Sequence, residues 1–375
     1  MRVLYDGAIF ESTQRGGIAR YFTEVINRLP AAVHPILIGS EDQLADMTHR
    51  NFVHHKIRAR PPAKLFKGLW RAAQGRHAAR LLQQENGSLI HWTYYQGLCR
   101  QPIRSLSVPS VITIYDFIHE AFPEMEPSGV TRAMKQRAIE LASHICCISQ
   151  TTFHELCERF PEAANRASVT PLGSSLTAGE AAPLPNSLVE RPFLLFVGRR
   201  DHYKNFAVLW DAWNNIQKRA PELELVVVGP PMDSAERARL GANCESSRLH
   251  LIPNAPDSLL KALYQNCEAF VFPSRMEGFG LPILEAMSNN APVLASSCSA
   301  FREVAADAGH YFDPEDVDSL ADLLYCISQQ SLADREEKVI AGHRRVAFYT
   351  WEKTAEQTMD AYRQVVQTPA QRRPA

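Results

Sequence analysis

The 375-residue sequence is 45% hydrophobic, carries 40 Lys and Arg against 41 Asp and Glu, and contains eight cysteines. That length and apolar content suit two domains, each with its own core, while near-neutral charge without a recognised module argues against a nucleic-acid binder. No apolar run approaches the roughly 20 residues of a membrane span, and cysteines without a C-x-x-C pair or His/Cys cluster argue for reduced thiols over a disulfide frame or zinc. The charge is uneven: residues 1–170 carry 20 Lys and Arg against 15 Asp and Glu, a net of +5, and residues 171–375 carry 20 against 26, a net of −6. Met1-Arg2-Val3-Leu4 runs directly into a strand with no signal-peptide pattern, so a cytoplasmic location is expected.

Arg2–Tyr5 reads as the first strand. It leads through Asp6-Gly7 to Gln14-Arg15-Gly16-Gly17, where a helix opens and runs to Leu29. A glycine pair at a strand-to-helix turn lets bare backbone approach a ligand diphosphate. From Asn51 to Gln84 there is no acidic residue, while Lys56, Arg58, Arg60, Lys64, Lys67, Arg71, Arg76 and Arg80 are basic. Leu65, Phe66, Leu69, Trp70 and Ala73 recur within this stretch at helical spacing, so residues 64–84 read as a basic amphipathic helix. Two readings compete: an interfacial membrane helix, or a surface helix with its stripe packed on the domain.

Ser88–Trp92 and Val111–Tyr115 read as buried strands ending in His91-Trp92-Thr93-Tyr94-Tyr95 and Tyr115-Asp116-Phe117-Ile118-His119-Glu120. Ligands of open α/β sheets gather outside the carboxyl ends of strands, which makes these segments candidate acceptor walls. For His91, Asp116 and His119 a satisfied structural role is an equal alternative. Ile145–Ile148 is a further strand, with Ser149 capping the next helix. Ser174–Arg191 is rich in Pro, Ala and Ser and reads as an interdomain linker.

Phe193–Val197 starts a second sheet and runs into Gly198-Arg199-Arg200-Asp201-His202-Tyr203-Lys204. Arg199 and Lys204 thus stand at a strand's carboxyl edge, where two cations suit a leaving diphosphate. Leu223–Val228, Leu249–Ile252, Ala269–Phe272 and Val293–Ala295 continue a βα alternation. Between the last two lies the most informative stretch, Glu277-Gly278-Phe279-Gly280-Leu281-Pro282-Ile283-Leu284-Glu285. A buried strand breaks at a Gly-x-Gly turn and restarts as a helix with proline in its first turn. Such a helix start aims unpaired N–H groups at an anion, best a phosphate. Carboxylates would repel phosphates, so Glu277 and Glu285 suit sugar hydroxyls at either end of a nucleoside diphosphate sugar. Asp316-Val317-Asp318 follows Asp313-Pro314 at a helix start, which favours capping over metal binding. Trp351–Val366 reads as a final amphipathic helix and residues 368–375 as a disordered tail.

The nonapeptide Glu277–Glu285 resembles the E-x7-E signature of the family 4 retaining glycosyltransferases, and Gly198-Arg199 with Lys204 is similar to that family's phosphate-binding Arg and Lys. The resemblance covers nearly the whole chain. It implies the α/β GT-B fold: two Rossmann-like domains facing across a cleft, an acceptor domain over 1–172, a nucleotide-sugar domain over 173–350, and a helix over 351–367 crossing back to the first. It also implies retention at the anomeric carbon without a metal or resident cofactor, the nucleotide sugar being a co-substrate. Arg199, Lys204 and Glu277 would act at the reacting centre. Gly16, Gly17, Gly278, Phe279, Gly280, Leu281 and Glu285 would hold the donor, with Glu285 on the ribose. Many family members have histidine where this chain has Tyr115, so Asp116 or His119 takes over that role or it is absent. Tyr-Asp-Gly near the start, Arg-Gly-Gly-Ile-Ala-Arg-Tyr and Tyr-Asp-Phe-Ile-His-Glu look most like bacterial enzymes that add mannose or a deoxyhexose such as rhamnose to surface polysaccharides. The resemblance thereby points to a GDP-linked donor, a polyprenol-linked glycan acceptor and, through helix 64–84, contact with the cytoplasmic face of the inner membrane. Epimerases or hydrolases of the same fold, and non-catalytic nucleotide-sugar binders, are the alternatives; an epimerase would turn over donor with no acceptor.

Overall fold

The computed structural model describes residues 1–11, 16–39, 44–57, 67–98, 101–103, 107–174, 176, 179–200, 202–241, 244 and 246–367. The expected helix start at Lys64 with Leu65 and Phe66, the basic Arg58 and Arg60, Gln14-Arg15, Asp201 and the tail 368–375 lie outside these residues. The chain divides into two compact units, Met1–Leu172 with Trp351–Ala375, and Gly173–Thr350.

Unit 1 contains β1 (Arg2–Tyr5), β2 (His34–Gly39), β3 (Val53–Lys56), β4 (Leu89–Trp92), a short antiparallel ribbon of β5 (Gln96–Gly97) and β6 (Gln101–Pro102), then β7 (Ser110–Ile114), β8 (His144–Cys147) and β9 (Ala167–Val169). Its parallel sheet has the order β3-β2-β1-β4-β7-β8-β9. All four residues of β4 and of β8 are buried, as strands covered on both faces must be. The helix Gly17–Arg28 buries Ala19, Tyr21, Phe22, Val25 and Ile26, the stripe that 3.6-residue periodicity puts on one face. The helix Trp351–Gln367 buries Trp351, Thr354, Ala355, Thr358, Met359, Tyr362 and Val365 at the same spacing and packs on Gly17–Arg28. Arg28 Nε donates to Glu352 across 2.8 Å, and Thr354 Oγ1 donates to the Pro171 carbonyl across 2.6 Å.

Unit 2 contains β10 (Phe193–Val197), β11 (Glu224–Gly229), β12 (Leu249–Pro253), β13 (Ala269–Phe272), β14 (Val293–Ser296) and β15 (Gly309–Phe312), parallel in the order β12-β11-β10-β13-β14-β15. The helix Phe206–Ile216 buries Phe206, Val208, Leu209, Trp210, Ala212, Trp213 and Ile216, and the wholly buried Trp213 belongs to a core cluster that includes Leu320 and Leu324. Burial of one such side chain is worth about 1.5–3 kcal/mol. Ala182 N donates to Ser258 O, and Leu176 and Leu188 are buried, so the described part of Ser174–Arg191 packs on unit 2 instead of running as a free linker.

Both sheets start in the middle and reverse direction once, between β1 and β4 and between β10 and β13. This is the doubly wound pattern whose ligands bind beyond the carboxyl ends at the point of reversal. Two Rossmann-like units, with the helix Trp351–Gln367 docked on the first, match the GT-B architecture.

The basic helix requires a correction. Its described part is Lys67–Gln84, and its buried residues are Ala78 and Leu82, facing β2. Leu69 is 74% exposed, Ala73 is exposed and Trp70 is only half-buried. Apolar residues are scattered among Arg, His and Gln around the whole circumference, so the expected single apolar face does not exist over this span. Among the described residues no helix is long and apolar enough to cross a membrane.

Candidate active site

At the reversal point of unit 2, the loops after β10 and β13 meet. Gly198, just beyond β10, has φ +139° and no atom of the described residues within 4 Å of where its Cβ would be, so conformation and not their crowding asks for glycine. Arg199 follows. Arg200 is a structural neighbour, bound bidentately to Glu236 at 2.6 and 2.9 Å. Asn205 adopts the left-handed conformation at φ +54°, and its Nδ2 donates to the carbonyls of Pro314 (2.7 Å) and Pro273 (3.3 Å). Arg275 N donates to the Tyr203 carbonyl across 2.8 Å. These bonds fasten the two loops together, and Lys204 Nζ comes to 2.5 Å from Glu277 Oε1. The two side chains are 17 and 12% exposed, and the ammonium also faces the rings of Tyr203 and Phe272 at 5.1 and 5.2 Å.

The helix Leu281–Ser288 begins after Gly280, whose φ is +107° and whose missing Cβ would lie 3.2 Å from the Phe301 ring. Leu281 and Glu285 are half-buried on it. The Tyr264 hydroxyl, itself buried, donates to Glu285 Oε2 at 3.4 Å; burial and the neighbouring carboxylate push its pKa well up. The Phe279 side chain is 2% exposed and packs edge-on against Tyr349, which leaves its backbone N–H as the group that would face a donor. Asp316 accepts from Ser319 N across 2.9 Å, a helix cap. Among the described residues no group of three or more His, Cys, Asp or Glu is placed to hold a metal ion.

In unit 1, Gly16 caps the helix Gly17–Arg28 with φ −117° and ψ 166°. Among the described residues nothing lies within 4 Å of where its Cβ would be, so neither backbone strain nor their packing demands glycine there. His91 resolves to the structural alternative. It is wholly buried, with Nδ1 2.7 Å from the Tyr362 hydroxyl and Nε2 2.9 Å from Thr113 Oγ1. Tyr362 also meets the Tyr5 hydroxyl at 3.0 Å, and Thr113 that of Tyr21 at 3.1 Å. Burial lowers the His91 pKa to about 3, so the imidazole is neutral and its network fixes the Trp351–Gln367 helix. Asp6, beyond β1, is 1% exposed; its Oδ1 accepts from Thr93 N and Oγ1 at 2.8 and 2.9 Å.

Beyond β7, Asp116 and His119 remain partly exposed. Asp116 Oδ1 accepts from Ile118 N at 3.0 Å. Tyr94, whose hydroxyl is pushed up to about 12 by burial and by the nearby Asp116 and Glu126, lies on the same edge. The Tyr115 hydroxyl is buried with no hydrogen-bond partner among the described residues. Glu277 and Lys204 are in contact within unit 2, and Asp116 and His119 belong to unit 1. Sequence reasoning missed Asn205 and Tyr264. Only Asn205 carried a signal, as a residue tolerant of positive φ directly beside a candidate lysine.

The sequence model of Glycosyltransferase Family 4 matches residues 15–178, and that of Glycosyl transferases group 1 matches residues 184–343. The chain is a GT-B glycosyltransferase related to family 4. The glycosyltransferase is 29% identical over 270 residues to the O-antigen chain mannosyltransferase B of Escherichia coli, covering 68% of this chain and 70% of that one. It is 32% identical over 180 residues to the phosphatidyl-myo-inositol mannosyltransferase of Mycobacterium tuberculosis, a match spanning 46% of this chain and 47% of that protein. In fold it is similar to a sucrose-phosphate synthase from Thermosynechococcus elongatus, with TM-score 0.73, 21% identity and 97 and 98% coverage of the two chains. It is likewise similar to WaaG, a glycosyltransferase involved in lipopolysaccharide biosynthesis, with TM-score 0.70, 16% identity and 96 and 99% coverage. A nucleotide sugar is the co-substrate.

Proposed function

We infer that this glycosyltransferase moves mannose, or a 6-deoxyhexose such as rhamnose, from a GDP-linked donor to a lipid-linked oligosaccharide during bacterial surface polysaccharide assembly. The observation that carries the reading is the Lys204–Glu277 contact at the reversal point of unit 2. One group suits a leaving phosphate and the other a sugar hydroxyl, and they are one hydrogen bond apart. The mannosyltransferase relatives support the choice of sugar.

In this reading unit 2 holds the donor and unit 1 the acceptor. The bond from the anomeric carbon to the diphosphate breaks with both electrons going to phosphate. Arg199, Lys204 and the N–H groups of Gly278–Leu281 stabilise that charge. Glu277 orients the sugar through its hydroxyls, and Glu285, held by Tyr264, takes the ribose diol. Gly16 and Gly17 offer backbone to the diphosphate, which supplies a reason for glycine at position 16 that its described neighbours do not. The acceptor oxygen attacks the same face of the anomeric carbon and its proton passes to a donor phosphate oxygen, giving retention. Asp116 and His119 orient the acceptor. Cations from the chain neutralise the leaving group, so no divalent metal is required. Basic residues between 51 and 84, with exposed Leu69 among them, favour peripheral contact with an anionic membrane surface on the cytoplasmic side.

The test combines GDP-mannose, GDP-rhamnose, UDP-glucose and dTDP-rhamnose separately with octyl α-mannoside and follows products by NMR. Transfer from a GDP sugar with an α-linked product, undiminished by EDTA, is expected. Donor turnover without acceptor, or an inverted anomer, overturns the reading.

A further inference from the structure

Lys135 on the helix Val130–Leu141 has no role in the chemistry above, and it is a lysine with none of its surface exposed. Its ammonium donates to the Asp116 carbonyl across 2.8 Å and to Glu120 Oε2 across 2.7 Å, with Asp116 Oδ1 at 3.9 Å. The rings of Tyr95 and Phe117 lie 5.3 and 5.0 Å from it. One cation therefore grips both ends of the five-residue turn from Asp116 to Glu120, and His119 lies between the grips. Glu155 and Arg159 on the helix Gln150–Arg159 share the surroundings: burial raises the Glu155 carboxyl, Arg159 opposes this, and Asp116 adds to it.

A buried ion pair contributes little net stability over a well-packed apolar side chain, because desolvation offsets the attraction. What it does fix is geometry, since the ammonium must satisfy its donors in defined directions. Here those directions are the backbone of one candidate acceptor-side residue and the far end of the turn that carries the other. Stability alone would be served by methionine between Tyr95 and Phe117.

We propose that Lys135 is a positioning residue for glycosyl transfer, setting the Asp116–Glu120 turn so that Asp116 and His119 meet the hydroxyl of a glycan acceptor. The inference rests on the acceptor-side reading of those two residues. Lys135→Met keeps the side chain's length and deletes its charge. With the full chain, GDP-mannose and octyl α-mannoside, its expected signature is a GDP dissociation constant within about twofold of wild type and a kcat/KM for octyl α-mannoside reduced about tenfold or more. Amide exchange should quicken over residues 116–121 alone. Glu120→Gln keeps an acceptor oxygen, is expected to lose about three- to tenfold in the same parameter, and decides the question where the methionine variant does not fold. Unchanged acceptor kinetics in the folded variant, or equal losses in GDP binding and acceptor kinetics, overturns the proposal. Asp116→Asn and His119→Ala are measured in parallel. A loss in either, with Lys135→Met unaffected, overturns the positioning role alone; wild-type kinetics in both overturns the acceptor-side reading and the positioning role with it.

Discussion

Lys204 Nζ donates to Glu277 Oε1 across 2.5 Å, so the two groups neutralise each other. A diphosphate arriving at Lys204 must compete with that carboxylate. Glu277→Gln should therefore bind free GDP about three- to tenfold more tightly while losing about 100-fold or more in transfer. Lys204→Ala should weaken both. Titration calorimetry with GDP, set beside initial rates, separates the signs; weaker GDP binding in Glu277→Gln contradicts the competition.

Tyr264 reaches Glu285 from inside the core through its hydroxyl. Tyr264→Phe removes one long hydrogen bond to a carboxylate, about 0.5–1.5 kcal/mol, so nucleotide binding should weaken about two- to tenfold. The turnover number at saturating donor should hold. Kd for GDP and kcat at saturation, measured on the same preparation, check the split.

Asn205 combines φ +54° with an amide that bridges two carbonyls. Asn205→Gly keeps the backbone conformation and loses the bridge; Asn205→Ala loses the bridge and adds the left-handed cost of about 1 kcal/mol. Denaturant unfolding of unit 2 should rank wild type above glycine and glycine above alanine. Both variants should lower kcat/KM because the Lys204 loop is loosened from the β13 loop.

The carboxyl of Asp6 is raised from 3.8 to about 7, chiefly by burial, with Thr93 opposing through its N–H and hydroxyl. Between those values the folded state holds a proton that the unfolded chain has released, so stability falls as pH rises, by about 1.4 kcal/mol per unit, and is level above about 7. His91 works in the opposite sense: with its folded pKa at about 3 against 6.5, it costs stability as pH falls below 6.5. Asp6→Asn keeps an oxygen for Thr93 and removes the acid. Its melting temperature should exceed that of wild type at pH 8 and approach it at pH 4, as measured by scanning calorimetry.

Legibility in the sequence followed the length scale of the interaction. Ala269–Phe272 and Leu89–Trp92 announce themselves as unbroken apolar runs because both faces of a parallel strand are covered. The Gly198, Gly280 and Asn205 turns are legible in kind, since few residues tolerate their backbone angles. The helix Lys67–Gln84 was not: Leu69 and Ala73 have the same spacing as Ala78 and Leu82, and only the position of β2 decides which pair is covered. His91 had two equal readings until Tyr362, 271 residues away, chose one. The same holds for Lys135, whose burial depends on Tyr95 and Phe117 closing over a charge that looks exposed in any window of sequence. Phe279 lies inside a motif yet points its ring at Tyr349, because a motif fixes backbone and says little about which way an apolar side chain turns.

The helix Trp351–Gln367 completes a unit whose first strand begins at Arg2, and unit 2 lies between. On the ribosome all six strands of unit 2 emerge in one contiguous piece and can condense before that helix has been made. Unit 1 meanwhile waits with Tyr5, Tyr21 and His91 uncovered, for the hydroxyl of Tyr362 and the ring of Trp351 that will meet them arrive only with the helix. The half of the nascent chain synthesised first is thus finished second, and during that interval it is the half most exposed to aggregation and most in need of a chaperone.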